Sequence, residues 1–273
     1  MSFTPFLWVT LYCAALVMSL ANPLFAALGY LLEYYMRPEL KWWGDELPSL
    51  RYNLIMSLAL GGTFLLRRSS LRELRTLVNP SMWWLFALLS IMLIVGRTVA
   101  VSPEISWDWT IQWTKMAIIF PLLVVGVVRS RSGFDLFVAA HMLGAFWWGF
   151  EAWDDPKRQA GRLINIGSGD SLNDNGAAAH LLTVLPFAVV YLFVAKEKWL
   201  RGIAMFSLVF VVNTLILCNS RGSMVGLLAG LLASIVMIRR GYRLRIIAAA
   251  IGMVALVLMM ADTQFLTRQQ TTT

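Results

Sequence analysis

Charge is scarce in this chain. Only 14% of its 273 residues are Asp, Glu, Lys or Arg, whereas 59% are hydrophobic and the mean hydropathy is +0.68. A soluble domain carries about 25% charged residues, so the composition indicates an integral membrane protein, an all-α polytopic helix bundle forming one membrane domain over residues 1–273. Histidine and cysteine are scarcer still, with two of each. Cys13 and Cys218 lie within or at the end of apolar runs, which excludes a disulfide framework and reads both as packing residues. The sequence has no P-loop, no Cys/His cluster, no Gly-x-Ser-x-Gly elbow and no HExxH, and Asp154-Asp155 is a lone acidic pair. Neither a metal nor a nucleotide cofactor is implied. The net charge of +8 resides in short clusters between apolar spans; that is the pattern of inside-facing membrane loops, not of a nucleic-acid footprint. The first 30 residues lack a basic n-region and a cleavage site, so a retained first helix is expected.

What is present is a series of long apolar runs. A helix needs about 20 apolar residues to cross a bilayer, and candidate spans fall at 6–32, 52–66, 82–100, 111–128, 134–150, 176–195, 202–218, 222–238 and 246–261. The first is too long for one straight helix, and Pro23 predicts a kink or a division into two short segments. Alternate loops are basic: 67–75, 129–135, 196–201 and 239–245 hold 13 of the 23 Lys and Arg but only three of the 15 acids. By the positive-inside rule these four face the cytoplasm. With 6–32 as one span, the expectation is about nine transmembrane helices, N-terminus in and C-terminus out. Trp42, Trp43, Trp107, Trp109, Trp147, Trp148 and Trp153 would then form an outer aromatic belt. The polar end ADTQFLTRQQTTT carries no closing element, so a chain truncated before a further external loop is expected.

The external face holds the candidate chemistry. The loop 151–175 contains Arg162 after a glycine and enters a helix at Asn173-Asp174-Asn175. Asn or Asp there predicts an N-cap, and the free N–H groups of a helix start favour an anion; a plain polar loop with a capped helix accounts for the same residues. The turn 219–223 carries Arg221 between Ser220 and Gly222. A guanidinium grips phosphate with two donors and stays charged, although an arginine snorkelling to lipid head groups is the simpler reading. The spacing Gly222, Gly226, Gly230, Ser234 predicts close approach of a neighbouring helix. Arg97 and Lys115 flank Glu104 and Asp108, and mutual ion pairing across that hairpin explains them. His141, inside a span, reads as a core histidine bonded to a neighbouring helix. His180 follows Ala177, Ala178 and Ala179 and reads first as part of a packed helix start.

In order of elements the chain resembles the O-antigen ligase and polymerase superfamily of bacterial envelope glycosyltransferases. The resemblance rests on Gly161-Arg162, then Asn173-Asp174-Asn175 entering a helix that reaches Leu185-Pro186. A basic inner turn, a span, Ser220-Arg221-Gly222 and a Gly/Leu-rich span follow. The first external loop, YYMRPELKWWGDELP, is similar to that of the O-glycosylation ligase branch. The resemblance implies metal-independent transfer of a glycan from undecaprenyl diphosphate to a lipid, glycan or protein acceptor at the periplasmic face of the bacterial inner membrane. It also implies that Arg162 and Arg221 bind the diphosphate, with Asn173, Asn175, Ser220 and Gly222 in support. The family's essential histidine lies in a later external loop, so the resemblance places it beyond Thr273; neither His141 nor His180 takes that role. A polymerase or protein O-glycosyltransferase of the same superfamily, a transporter of lipid-linked glycan, and an inactive truncated product stay open.

Overall fold

The computed structural model describes residues 3–66, 80–159, 161–167, 173–237 and 240–260. Ala160, the basic segment 67–79, residues 168–172, 238–239 and the terminal run 261–273 lie outside the described residues. Nearly everything described is α-helical: α1 (Phe3–Ala21), α2 (Leu24–Met36), α3 (Tyr52–Leu66), α4 (Pro80–Thr98), α5 (Pro103–Thr114), α6 (Phe120–Val127), α7 (Arg131–Asp154), α8 (Asp174–Val194), α9 (Lys198–Cys218), α10 (Arg221–Met237) and α11 (Arg240–Met260). A two-stranded antiparallel hairpin, β1 (Arg158–Gln159) and β2 (Arg162–Leu163), lies between α7 and α8. The preponderance of helix follows from composition. In an apolar medium, a helix satisfies its own backbone N–H and C=O groups, whereas an open strand does not.

Among the described residues, three helices are long and apolar enough to cross a membrane: Phe3–Ala21, Asp174–Val194 and Lys198–Cys218. Shorter apolar helices include Tyr52–Leu66, Trp83–Thr98 and Arg221–Ala233. The long apolar stretch at 6–32 resolves into two helices, α1 and α2. Pro23 has no N–H to continue the ladder, and Asn22 caps the second helix by accepting from the Leu24 N–H at 3.1 Å. The segment expected as a loop near 101–110 is helical instead. Pro103 opens α5, where the missing N–H costs nothing. Between α5 and α6 the helix widens to a π-turn over Lys115–Ile119, directly before Pro121, whose ring cannot donate to the carbonyl of Ala117.

The chain forms two compact units. One comprises Met1–Tyr30 and Trp42–Phe137, the other Leu31–Lys41 and Val138–Thr273. In the first, α1 packs on α3, α3 on α6, and α4 on α5. Its aromatic centre is Trp8 stacked on Tyr12 at 4.9 Å, with Tyr52 edge-on to both and Trp43 beside Trp8. The Tyr12 hydroxyl donates to the Tyr52 carbonyl at 2.7 Å, which ties α1 to the start of α3. Ala26, Ala27, Leu60, Phe64 and Val127 form its apolar core.

In the second unit α8 packs on both α9 and α10, and α11 on α9 and α10. Ser207 on α9 donates to the Met142 carbonyl of α7 at 2.7 Å, and α7 approaches α9 closely at Gly149.

Several expectations change. Trp42, Trp107, Trp109 and Trp153 are exposed, but Trp43 and Trp148 are fully buried and serve as packing residues instead of belt residues. Cys218 is buried, whereas Cys13 is exposed. Arg97 lies over the Trp107 ring, 4.5 Å from its centre; among the described residues it makes no ion pair with Glu104 or Asp108, because the ring face offers the cation a nearer partner. The small-residue spacing of α10 does not mark a close helix crossing. A Cβ at Gly222 or Gly230 would meet nothing within 4 Å, and one at Gly226 only Leu182 Cδ1 at 3.7 Å. Gly149 is the glycine that a crossing does require, since a Cβ there would lie 2.8 Å from the Phe210 backbone.

Gly149→Ala is expected to destabilise the protein by about 1–3 kcal/mol, because backbone cannot swing aside as a side chain can. Gly202→Ala, in α9 with nothing within 4 Å of the added methyl, is expected to be neutral or stabilising by up to about 1 kcal/mol. Thermal unfolding of the two variants in the same detergent checks the contrast.

Candidate functional site

Three breaks in the helical ladder of the second unit converge. The first is the hairpin, in which Arg158 pairs with Leu163 and Gln159 with Arg162. It turns through Gly161 at φ 72°, a conformation that only glycine adopts freely. Alternation along β2 sends Leu163 into the interior, 1% exposed, and turns Arg162 to the opposite face. The second break is the start of α8. Asn173 is its N-cap, the side chain accepting from the Gly176 N–H at 2.7 Å. The third is the turn between α9 and α10. Asn219 ends α9 in the left-handed region at φ 50°, which asparagine tolerates better than most residues. Its amide reaches the Gly161 carbonyl at 3.5 Å, a contact at the limit for a hydrogen bond that brings the turn carrying Arg221 beside the hairpin carrying Arg162. Ser220 immediately precedes α10, with the Ser223 hydroxyl 3.1 Å from its own.

These breaks surround an open cavity of about 610 Å³ lined by Arg162, Asn175, Ala179, Leu182, Ser220, Arg221, Gly222 and Ser223. Asn175, Ala179 and Leu182 form one stripe of α8 by their i, i+4, i+7 spacing. The opposite wall is the first turn of α10. Both arginines therefore line one space, and the first turns of two helices bring the positive ends of their dipoles to it. Such an arrangement suits an anion with several oxygens. The Arg162 guanidinium is held through Nη1, 2.9 Å from Asp174 Oδ2, while its Nε is buried without a partner among the described residues.

Of the residues singled out from sequence, Arg162, Arg221, Asn175, Ser220 and Gly222 line the cavity. Gly222 contributes by leaving space, with nothing near its missing side chain. Asn173 does not line it and acts as the helix cap. Ser223, Ala179 and Leu182 were missed; helical spacing from Asn175 and Ser220 finds them once those two are accepted. Asp174 was overlooked as the partner of Arg162, a contact across an irregular loop that has no sequence signature. Among the described residues no group of three or more His, Cys, Asp or Glu is placed to hold a metal ion.

Both histidines of the chain meet at Tyr35. Its hydroxyl lies 3.1 Å from His141 Nδ1 and 2.8 Å from His180 Nε2. A hydroxyl has one proton, so it donates to one imidazole and accepts from the other. The site is enclosed by Trp148, which donates to the Tyr35 carbonyl at 2.8 Å, and by Gly144, where an added methyl would overlap the Tyr35 ring. His141 is thus the interhelical core histidine that the sequence suggested, with its partner now identified. His180 does not line the arginine cavity.

Nearby in sequence, Lys41 and Glu151 form a two-oxygen ion pair at 2.6 and 2.7 Å, with both side chains mostly buried. Burial raises the Glu151 carboxyl above its ordinary pKa, and Lys41 pulls it back only in part.

Tyr35→Phe is expected to cost about 1–2 kcal/mol, because it strips a partner from two imidazoles at once. Unfolding of that variant against wild type in one detergent measures it. Lys41→Met leaves Glu151 buried and unpaired, so its pKa rises further. A carboxyl whose folded pKa exceeds the unfolded value loses stability as pH rises through that interval. The variant should therefore be clearly less stable than wild type near about pH 7, with the gap narrowing as pH falls toward the ordinary carboxylate range. Melting temperatures across that range decide it. No family model, no curated protein and no solved structure matches this chain, so the meaning of the cavity rests on its residues and their geometry.

Proposed function

We propose that this protein is a membrane glycan ligase that binds the diphosphate of a polyprenyl-linked glycan in the cavity between Arg162 and Arg221. The observation that carries the reading is the convergence of these two guanidiniums, 59 residues apart in sequence, on one open cavity whose remaining walls are hydroxyls, an amide and small apolar groups.

In such a transfer the glycosidic bond to the diphosphate breaks as an acceptor hydroxyl attacks the anomeric carbon. Negative charge grows on the leaving diphosphate. Fixed guanidiniums stabilise that charge without reorganising, which lowers the barrier. A diphosphate leaves without needing a general acid, unlike a sugar alkoxide. The acceptor proton still requires a base, and neither His141 nor His180 is assigned that role, because neither is among the residues that line the arginine cavity.

The apolar helices support a multi-pass membrane protein. We extend this to about nine spans in a bacterial inner membrane, with the four basic loops inside and the arginine cavity on the periplasmic face. The uncharged interiors of α8 and the body of α9 favour a site at the membrane surface over a transport path, which would carry charge through the depth of the bundle.

Arg162→Ala and Arg221→Ala are each expected to abolish glycan transfer in cells while membrane insertion stays normal. Arg221→Lys should restore charge but not the two-donor grip, leaving transfer well below wild type. Transfer at wild-type rate in both alanine variants, read from glycan-acceptor conjugates on gels, would sink the assignment.

A further inference from the structure

A negative charge lies behind one wall of the cavity, paired with a lining arginine. Asp174, the first residue of α8, pairs with Arg162 and is itself largely buried, its side chain 14% exposed. A carboxylate beside an anion site weakens anion binding by repulsion, unless it does something that outweighs that cost. Its geometry indicates what. A guanidinium has two edges that can take an oxyanion: the end, formed by Nη1 and Nη2, and the side, formed by Nε and Nη2. Asp174 accepts from Nη1 alone, so it holds one corner of the group and leaves the side edge to another partner. The side edge begins at Nε, which is buried and has no hydrogen-bond partner among the described residues. Leaving a buried charged donor unmade is costly, and Arg162 lines the cavity.

We infer that Asp174 is a positioning residue for anion binding: it holds Arg162 by Nη1 so that the Nε–Nη2 edge is the one presented to a diphosphate oxygen pair. This rests on the diphosphate reading of the cavity and adds the edge of approach and the residue that fixes it. Two features of Asp174 suit the task. Its place at the start of α8 sets the carboxylate at the positive end of the helix dipole, beside Arg162. It also sits one residue from the N-cap Asn173, on backbone whose geometry is fixed by that cap. Arg162, by contrast, is carried on a two-residue strand, where its long side chain would otherwise sample many rotamers at an entropic cost on binding.

The electrostatic and positioning accounts predict opposite signs. If Asp174 acts only through its charge, removing it adds net positive charge and tightens anion binding. If it positions Arg162, removing it weakens binding. The test is calorimetric titration of the full chain in detergent with inorganic pyrophosphate, and separately with a short polyprenyl diphosphate, against wild type, Asp174→Ala, Asp174→Glu, Arg162→Ala and the Asp174→Ala/Arg162→Ala double variant. The expected result is a Kd about tenfold or more higher for Asp174→Ala, substantial recovery in Asp174→Glu, and no added loss from Asp174→Ala once Arg162 is absent. Binding of the lipid diphosphate but not pyrophosphate would assign the site to a lipid-linked donor; equal binding of both would assign it to the diphosphate alone, and either is compatible with the positioning role. Tighter or unchanged binding in Asp174→Ala overturns the positioning role while leaving the diphosphate reading intact, as does an additive loss in the double variant. Absence of binding by wild type in both arms overturns the two together.

Discussion

A backbone in an apolar medium must satisfy every N–H and C=O from within its own segment, and the rest of this structure follows from that requirement. It makes the chain almost wholly helical. It also makes each interruption of the ladder conspicuous, because the freed groups need another partner. Asn22 supplies one at Leu24, Asn173 supplies one at Gly176, and Asn219 ends α9 in the left-handed region. Pro121 shifts the ladder to a π-turn, and Pro186 within α8 leaves the carbonyl of Leu182 without its helical donor. Polar chemistry collects where helices break, since those are the places where polar groups are already exposed. The arginine cavity lies at three such breaks.

The second unit solves two packing problems with the same economy of means. Glycine is used where two elements must touch, at Gly149 against Phe210 and at Gly144 beneath Tyr35. It is also used where nothing should touch, at Gly222 on the cavity wall. Besides the local pairs Arg37–Glu39 and Asp155–Lys157, two ion pairs among the described residues join separate segments: Lys41 with Glu151, and Arg162 with Asp174 across the loop. A partly buried pair of this kind contributes little net stability but penalises alternative arrangements, which would leave one charge buried alone.

Much of this was legible in the sequence for physical reasons. Apolar runs announce helices because hydropathy and helix length are tied together by the bilayer, and the positions of α3, α7, α8, α9 and α10 follow closely from them. The two arginines stood out because a charge beside an apolar span has to be explained. Asn173 could be read as a cap because capping is local. What was not legible is whatever depends on distance in sequence. The partner of Arg162, the meeting of His141 and His180 at Tyr35, and the burial of Trp43 and Trp148 are set by how helices pack, and no residue spacing encodes them. The glycines of α10 show the converse error. Small-xxx-small spacing is compatible with a close crossing, but it does not say whether a helix lies opposite, and here the first glycine borders a cavity.

The Tyr35 hydrogen bonds reach across 106 and 145 residues of sequence. A chain is made from its N-terminus, so Tyr35 emerges long before either imidazole that receives its hydroxyl. Throughout that interval the hydroxyl has to find water or a temporary partner near the end of α2. The final contact closes only after α8 has been made, which is late for a bond so deep in the unit. Assembly of this region is therefore governed by long-range closure rather than by local helix pairing, and a chain made only as far as residue 179 can hold Tyr35 through His141 and Trp148 while the second imidazole is still to come.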